Sequence, residues 1–342
     1  VSSDKYPRKL FVTGGNGFIG SYLLPLLIEK GYSIKCLLRA TSDTKRIEHL
    51  NYENIIGDIR DISCLSEGIK GCQGVIHLAA IANWADIASP QVRDVIVEGT
   101  DNVLRAAKNN GNLRTVCVSS AAAVGGTKRA QIQNENDKFN LRSNKYAYAL
   151  AKSEAEKLCQ QYVAKGLPVV TVNPTEVYGP GDNGLVTAET LIEFVKCKRV
   201  LVTKGGTSIV HVEDVARGIL AAYEQGEVGE RYILGGDNLN FYDLSALTLE
   251  ILKTDKPIIT VPHFLVKLYI IFSHLLKLRR GINPAALEYA LLYWFMDSAK
   301  AQRELNIQFR SARDTLAPTL KWLQEMDFIP MDEPVINNDD TG

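Results

Sequence analysis

Tyr148 and Lys152 stand four residues apart in KYAYALAKSE (145–154), a run with helical character. That spacing places two side chains within about 40° of each other around a helix axis, one turn apart. A phenol beside an ammonium can deliver a proton. At its ordinary pKa of about 10 the phenol is a slow donor at neutral pH, and a neighbouring cation lowers that value. Tyr146 is six residues from Lys152 and points elsewhere. Upstream, VSS (118–120) closes an apolar run and offers Ser119 and Ser120 as hydroxyls that could hold a carbonyl. Reduction of a ketone needs such a set, because the developing alkoxide must receive a proton while a cofactor carries the hydride.

A cofactor cradle stands near the start of the chain. TGGNGFIG (13–20) fits G-x-G-x-x-G through Gly15, Gly17 and Gly20, and G-x-x-G-x-x-G through Gly14, Gly17 and Gly20. It follows a strand pattern and opens a helix pattern, the context in which backbone amides and a helix N-terminus hold a pyrophosphate. Asn16, Phe18 and Ile19 belong to the same turn. About twenty residues on, Arg39 followed by Thr41 and Ser42 stands where NAD sites offer a carboxylate. A guanidinium there suits a 2′-phosphate, which favours NADP(H) and leaves NAD(H) as the alternative. Asp58 in IIGDIRD, with Ile59 beside it, is placed to accept a hydrogen bond from the adenine amine. HLAA (77–80) brings Leu78, Ala79 and Ala80 under the cofactor, and Asn173, Pro174 and Val177 complete the expected binding set.

These groups need a rigid frame. KLFVTG (9–14), SIKCLLR (33–39), ENIIGD (53–58), GVIHLAA (74–80), RTVCVSS (114–120) and PVVTVNP (168–174) are near-continuous β-branched runs separated by helical segments. Strands without polar alternation predict a parallel sheet buried on both faces, a Rossmann-type doubly wound α/β fold. Residues 1–174 are read as the dinucleotide-binding domain, with segments around 200–235 able to return to it. RVLV (199–202) and ERYILGG (230–236) are the two later strand candidates. Residues 175–330 read as a smaller, mainly helical substrate lobe over the strand ends, and 331–342 as a flexible tail.

The bulk numbers agree with a globular enzyme. Of 342 residues, 46% are hydrophobic and 23% charged, and Lys+Arg and Asp+Glu both count 39, so no basic excess points to nucleic acid. Six scattered cysteines form no C-x-x-C pair. Cys36, Cys72, Cys117 and Cys159 sit in or beside apolar runs, as buried reduced thiols do, which fits the cytoplasm. VSSDKYPRK lacks the apolar core of a signal peptide. FLVKLYIIFSHLLKL (264–278) is too short and too interrupted to span a bilayer; it reads as a lobe helix rather than a membrane-surface one. No metal-ligand spacing is present.

TGGNGFIG, GDIRD, HLAA, SSAAAVGG, YALAK, NPTEVYGPGD and IVHVEDVARG, in that order, resemble an extended short-chain dehydrogenase/reductase of the epimerase/dehydratase superfamily. The resemblance covers about residues 9–235, and SSAAAV is most similar to dihydroflavonol-reductase-like members. It implies Tyr148 as acid/base, Lys152 as the residue that lowers its pKa and holds the nicotinamide ribose, and Ser120 as hydroxyl donor with Ser119 the alternative. Relatives dimerise through helices bearing 90–108 and 145–165, which makes a homodimer the expected assembly.

Departures narrow the reaction. Dehydratases carry an Asp–Glu pair where Ala121 and Ala122 stand. Sugar epimerases carry Arg-Pro where this chain has Asn173-Pro174, and an Arg clamp for a substrate diphosphate where it has Thr207 and Ser208; Lys198, Arg199 and Lys204 are the nearby substitutes. Ile96 stands where relatives commonly carry an Asn that supports the active-site helix. The favoured reading is an NADPH-dependent reductase of an uncharged carbonyl compound. The apolar lobe, with Tyr289, Tyr293, Trp294 and Phe295, hints at a hydrophobic substrate. The alternatives are a sugar epimerase or 3-beta-hydroxysteroid dehydrogenase/isomerase-like enzyme, and a non-catalytic NADP-sensing protein.

Overall fold

Residues 8–81, 87, 89, 91–275 and 283–331 are described by the computed structural model. The expected tail beyond Met331, and residues 276–278 of the apolar stretch, lie outside the described residues. Strands β1 (Lys9–Thr13), β2 (Ser33–Leu38), β3 (Glu53–Ile56), β4 (Gly74–His77), β5 (Arg114–Val118) and β6 (Val169–Pro174) form one parallel sheet with a seventh strand, Arg231–Leu234. Its order is Arg231–Leu234, β6, β5, β4, β1, β2, β3. This is the Rossmann-type doubly wound fold expected from the apolar runs. Chain progression reverses between β1 and β4, which opens a crevice at the carboxyl ends of those strands.

Both faces of the sheet are covered, which is why its strands lack polar alternation. On one face, Leu23, Leu24 and Leu27 of the Phe18–Glu29 helix pack with Val215 and Ile219 of the Val212–Gln225 helix. On the other, Phe11 and Val75 meet Val103 and Leu104 of the Gly99–Asn109 helix, and Cys159 and Tyr162 of the Ala147–Ala164 helix. Cys36, Cys72, Cys117 and Cys159 are buried free thiols.

The two late strand candidates part company. Arg231–Leu234 pairs with β6 in the main sheet, whereas Val200–Val202 pairs with Ile258–Thr260 outside it. Strand Gly206–His211 pairs on one side with Glu176–Tyr178 and also with Asn238–Asn240 and Tyr293–Trp294. A further core gathers around Tyr178, Leu191, Leu244, Leu316 and Leu320. The apolar stretch forms a helix, His263–Leu275. Among the described residues no helix is long and apolar enough to cross a membrane.

Candidate active site

The glycine turn joins β1 to the Phe18–Glu29 helix. Gly14 adopts φ +73°, and a Cβ there would meet the Ala79 backbone nitrogen at 2.7 Å. A Cβ on Gly20 would lie 2.4 Å from the Gly14 carbonyl oxygen. These two positions therefore require glycine, one for its left-handed backbone and the other for close helix–turn approach. Gly17 is exposed and begins the helix without any side-chain cap, so first-turn N–H groups remain for an anion. Asn16 ties the turn to the next loop by donating to the Asp43 carbonyl, 3.1 Å. This cradle fits a dinucleotide pyrophosphate.

At the adenine end, Arg39 is exposed and its backbone N–H donates to Ser42 Oγ at 3.1 Å. Asp58 is less available than the sequence implies. Arg60 donates to both of its oxygens, Nε to Oδ1 at 2.9 Å and Nη2 to Oδ2 at 2.8 Å. That pairing holds the Asp58 carboxyl below its ordinary range. Arg60 is thus a second guanidinium at this end, which sequence reasoning passed over. Ile59 is buried, and Leu78, Ala79 and Ala80 are half-buried along the crevice. Asn173, Pro174 and Val177 are buried.

Tyr148 and Lys152 share one face of the Ala147–Ala164 helix, and Lys152 Nζ lies 5.9 Å from the Tyr148 ring centre. The Ser120 hydroxyl stands close enough to the Tyr148 phenol to oppose the rise in its pKa, and it accepts from the Ala122 N–H at 3.2 Å. Ser119 turns away and donates to Glu156 Oε1 at 2.5 Å. Tyr146 is packed edge-on against Tyr289, 5.3 Å between ring centres. The structure thus brings Ser120, Tyr148 and Lys152 together, with Ser119 and Tyr146 outside the set.

One expectation needs correcting. Burial raises the Tyr148 pKa, and the group opposing this is the Ser120 hydroxyl, not Lys152. The ammonium is committed elsewhere, donating to the Val118 carbonyl at 2.9 Å. Its own pKa falls to about 8, because burial outweighs the nearby Glu156 carboxylate. Glu156, one turn beyond Lys152, accepts from Ser119, from Asn173 Nδ2 at 2.5 Å and from Arg231 Nη1 at 3.1 Å. Asn173 also donates to the Ser120 carbonyl at 2.9 Å. No local sequence signal announces this network, since Glu156 and Arg231 are 75 positions apart.

A second buried chain of hydrogen bonds supports the crevice floor. The Ala79 N–H donates to Thr13 Oγ1 (3.3 Å), which contacts His77 Nδ1 at 2.7 Å. His77 Nε2 reaches Thr100 Oγ1 at 3.1 Å, and Thr100 donates to the Ile96 carbonyl at 2.5 Å. These directions assign the proton to Nε2 of a neutral imidazole. Burial, then the Lys152 charge, lowers the His77 pKa to about 3.

The chain matches the NAD dependent epimerase/dehydratase family over residues 10–235. It belongs to that family. It is 30% identical over 329 residues to a Synechocystis protein described as a candidate dihydroflavonol 4-reductase, covering 93% of this chain and 95% of that one. It is 32% identical over 231 residues to the 4-hydroxy-2-methyl-3-oxo-4-farnesyl-3,4-dihydroquinoline-1-oxide ketoreductase of Stigmatella aurantiaca, 66% and 67% of the two chains. The crystal structure of gox2253 superposes with a TM-score of 0.80 at 28% identity, covering 95% of this chain and all of that one. The chain is an NAD(P)-dependent oxidoreductase-type enzyme of this family, similar to its dihydroflavonol-reductase-like members.

Within the epimerase/dehydratase family its departures are now structural. Ala121 is buried, and Ala122 joins an apolar wall of Phe139, Leu141, Tyr289, Leu292 and Trp294 beside Ala149. Tyr289 stacks on Trp294, ring centres 5.2 Å apart. Tyr293 and Phe295 line a different hollow of about 300 Å³ with Thr203, Lys204, Asn240 and Tyr242. Thr207 and Ser208 are buried, and Lys198 and Arg199 are exposed. Ile96 lies in a π-helical turn, Asp94–Glu98, and packs with Ala151, Ala155 and Tyr148. Support for the tyrosine-bearing helix here is apolar, where the family's Asn would make it polar.

Proposed function

We propose that this protein reduces the carbonyl of a small apolar molecule with NADPH, with Tyr148 as proton donor and Ser120 as the hydroxyl that holds the carbonyl oxygen. The observation that carries the reading is the placement of Tyr148 and Lys152 one turn apart on one helix, Nζ 5.9 Å from the phenol ring centre, with the Ser120 hydroxyl beside the phenol. A bound nicotinamide dinucleotide supplies the hydride. Tyr148, kept protonated by burial, gives its proton to the oxygen on which charge develops. Lys152, anchored on the Val118 carbonyl, would offer its cation to the ribose of the cofactor.

NADPH is favoured over NADH because Arg39 and Ser42 flank the loop after β2, with Arg60 nearby. An apolar substrate is supported by the wall of Phe139, Leu292 and Trp294, and by the farnesylated quinoline named for the Stigmatella relative. A substrate diphosphate finds no cation at Thr207 or Ser208. The free buried thiols suit a reducing compartment such as the cytoplasm.

The test is a screen of hydrophobic ketones and nucleotide sugars with NADPH, following loss of reduced-nicotinamide absorbance, in wild type and Tyr148→Phe. The expected result is ketone reduction that drops by at least about 10²-fold in the variant, with NADPH binding retained. Undiminished turnover in Tyr148→Phe, or turnover of nucleotide sugars alone, overturns the proposal.

A further inference from the structure

The helix His263–Leu275 is apolar on two sides, and the fold covers one of them. Its inner side, Val266 and Ile270, packs on Leu291. Its outer side presents Phe264, Leu265, Leu268, Ile271 and Phe272, which are 64, 45, 45, 60 and 53% exposed. Phe264, Leu268, Ile271 and Phe272 recur at steps of three and four, so they form one stripe, with Leu265 at its border. A helix apolar all round needs cover on both sides, and contiguous apolar patches of this kind mark interaction surfaces.

Charge identifies the occupant. Between Asp255 and Glu288 the sequence has no Asp or Glu, whereas Lys256, Lys267, Lys277, Arg279 and Arg280 fall within that stretch. Lys267 stands exposed on the helix itself. An exposed apolar stripe bordered by the exposed Lys267, in a stretch of sequence that is basic and free of carboxylates, matches the surface of an anionic bilayer, where headgroups meet the lysine and the acyl boundary takes the rings. The helix has 13 residues, about 20 Å, and cannot span a hydrocarbon core of about 30 Å. It can only lie in the interface.

We propose that this protein docks reversibly on anionic lipid bilayers through the outer side of the His263–Leu275 helix. Docking does not depend on the reductase reading. What does rest on it is the consequence for substrate. Leu291, beneath the docking helix, adjoins Leu292 of the apolar wall beside the tyrosine-bearing helix, so docking would hold that wall close to a bilayer in which an apolar carbonyl compound dissolves.

The experiment is sedimentation of the purified full-length chain with vesicles of phosphatidylcholine alone or mixed with phosphatidylglycerol. Binding is expected on the mixed vesicles and is expected to weaken with added salt. The double substitution Phe264→Ser/Ile271→Ser should lower partitioning by at least about tenfold. Lys267→Ala should lower it by about fivefold on the anionic vesicles only. Both variants should keep the thermal unfolding midpoint of the parent and its turnover of a water-soluble carbonyl compound, which separates failure of docking from failure of the reductase reading. Absence of vesicle binding by the parent, or binding indifferent to these substitutions, overturns the proposal. So does lipid-independent self-association, measured by ultracentrifugation, that the double substitution abolishes, because it assigns the stripe to a second copy of the chain.

Discussion

Ser119 and Ser120 are adjacent in sequence, yet their hydroxyls serve opposite faces: Ser120 meets the Tyr148 phenol, and Ser119 meets Glu156. Both follow directly on β5, where successive side chains alternate. Ser120→Ala is therefore expected to lower kcat/KM by about 10²-fold. Ser119→Ala is expected to leave the rate near that of the parent and to cost about 1 kcal/mol of stability, through one lost donor to Glu156. Steady-state kinetics and urea unfolding of the two variants check the assignment, and a larger rate loss in Ser119→Ala would reverse it.

Lys152 loses its proton at about pH 8. Its ammonium is present below that pH and absent above it, so turnover is expected to fall on the alkaline side. Glu156 holds the value up against burial. In Glu156→Gln the alkaline limb of the pH–rate profile is expected to move down by about one pH unit, while Glu156→Asp restores part of the shift. An unmoved limb would reduce Glu156 to a packing role.

Arg39 is expected to set cofactor choice. Arg39→Ser should raise the Kd of NADPH by about 10- to 100-fold, the worth of one hydrogen bond to a charged group, and leave that of NADH little changed. Fluorescence titration of both dinucleotides reads the difference.

His77 makes folding stability depend on acid. In the folded chain it stays neutral down to about pH 3, whereas the unfolded imidazole takes up a proton near 6.5. Its contribution is complete above about pH 6.5 and is lost as pH falls toward 3, with a slope of about 1.4 kcal/mol per pH unit in that window. Urea midpoints between those limits should show this slope in the parent, and His77→Gln should flatten it by that amount.

Local pattern made the sheet and the cradle readable. β-branched runs announced six of its strands, and a glycine turn after the first announced the crevice. Helical spacing likewise placed Tyr148 over Lys152. What the sequence hid were relations between distant positions. ERYILGG and RVLV are both readable as strands that could return to the first domain, and only pairing shows that Arg231–Leu234 does so beside β6 while Val200–Val202 does not. The Glu156–Arg231 ion pair carries no motif, and Asp58 gave no sign that Arg60 would take both its oxygens. The direction of the Tyr148 pKa also escaped, because a spacing rule reports a neighbour's charge but not how deeply the phenol is buried.

Arg231 has a consequence for how the enzyme comes into being on the ribosome. It anchors Glu156, and donates to the backbone carbonyls of Glu135 and Asp137, from a strand that emerges after all the groups assigned to chemistry. The Val212–Gln225 helix that covers one sheet face is equally late. A nascent chain halted after β6 would carry every reacting side chain on a sheet with one face only partly covered. Competence should thus arrive in a single late step rather than grow with chain length.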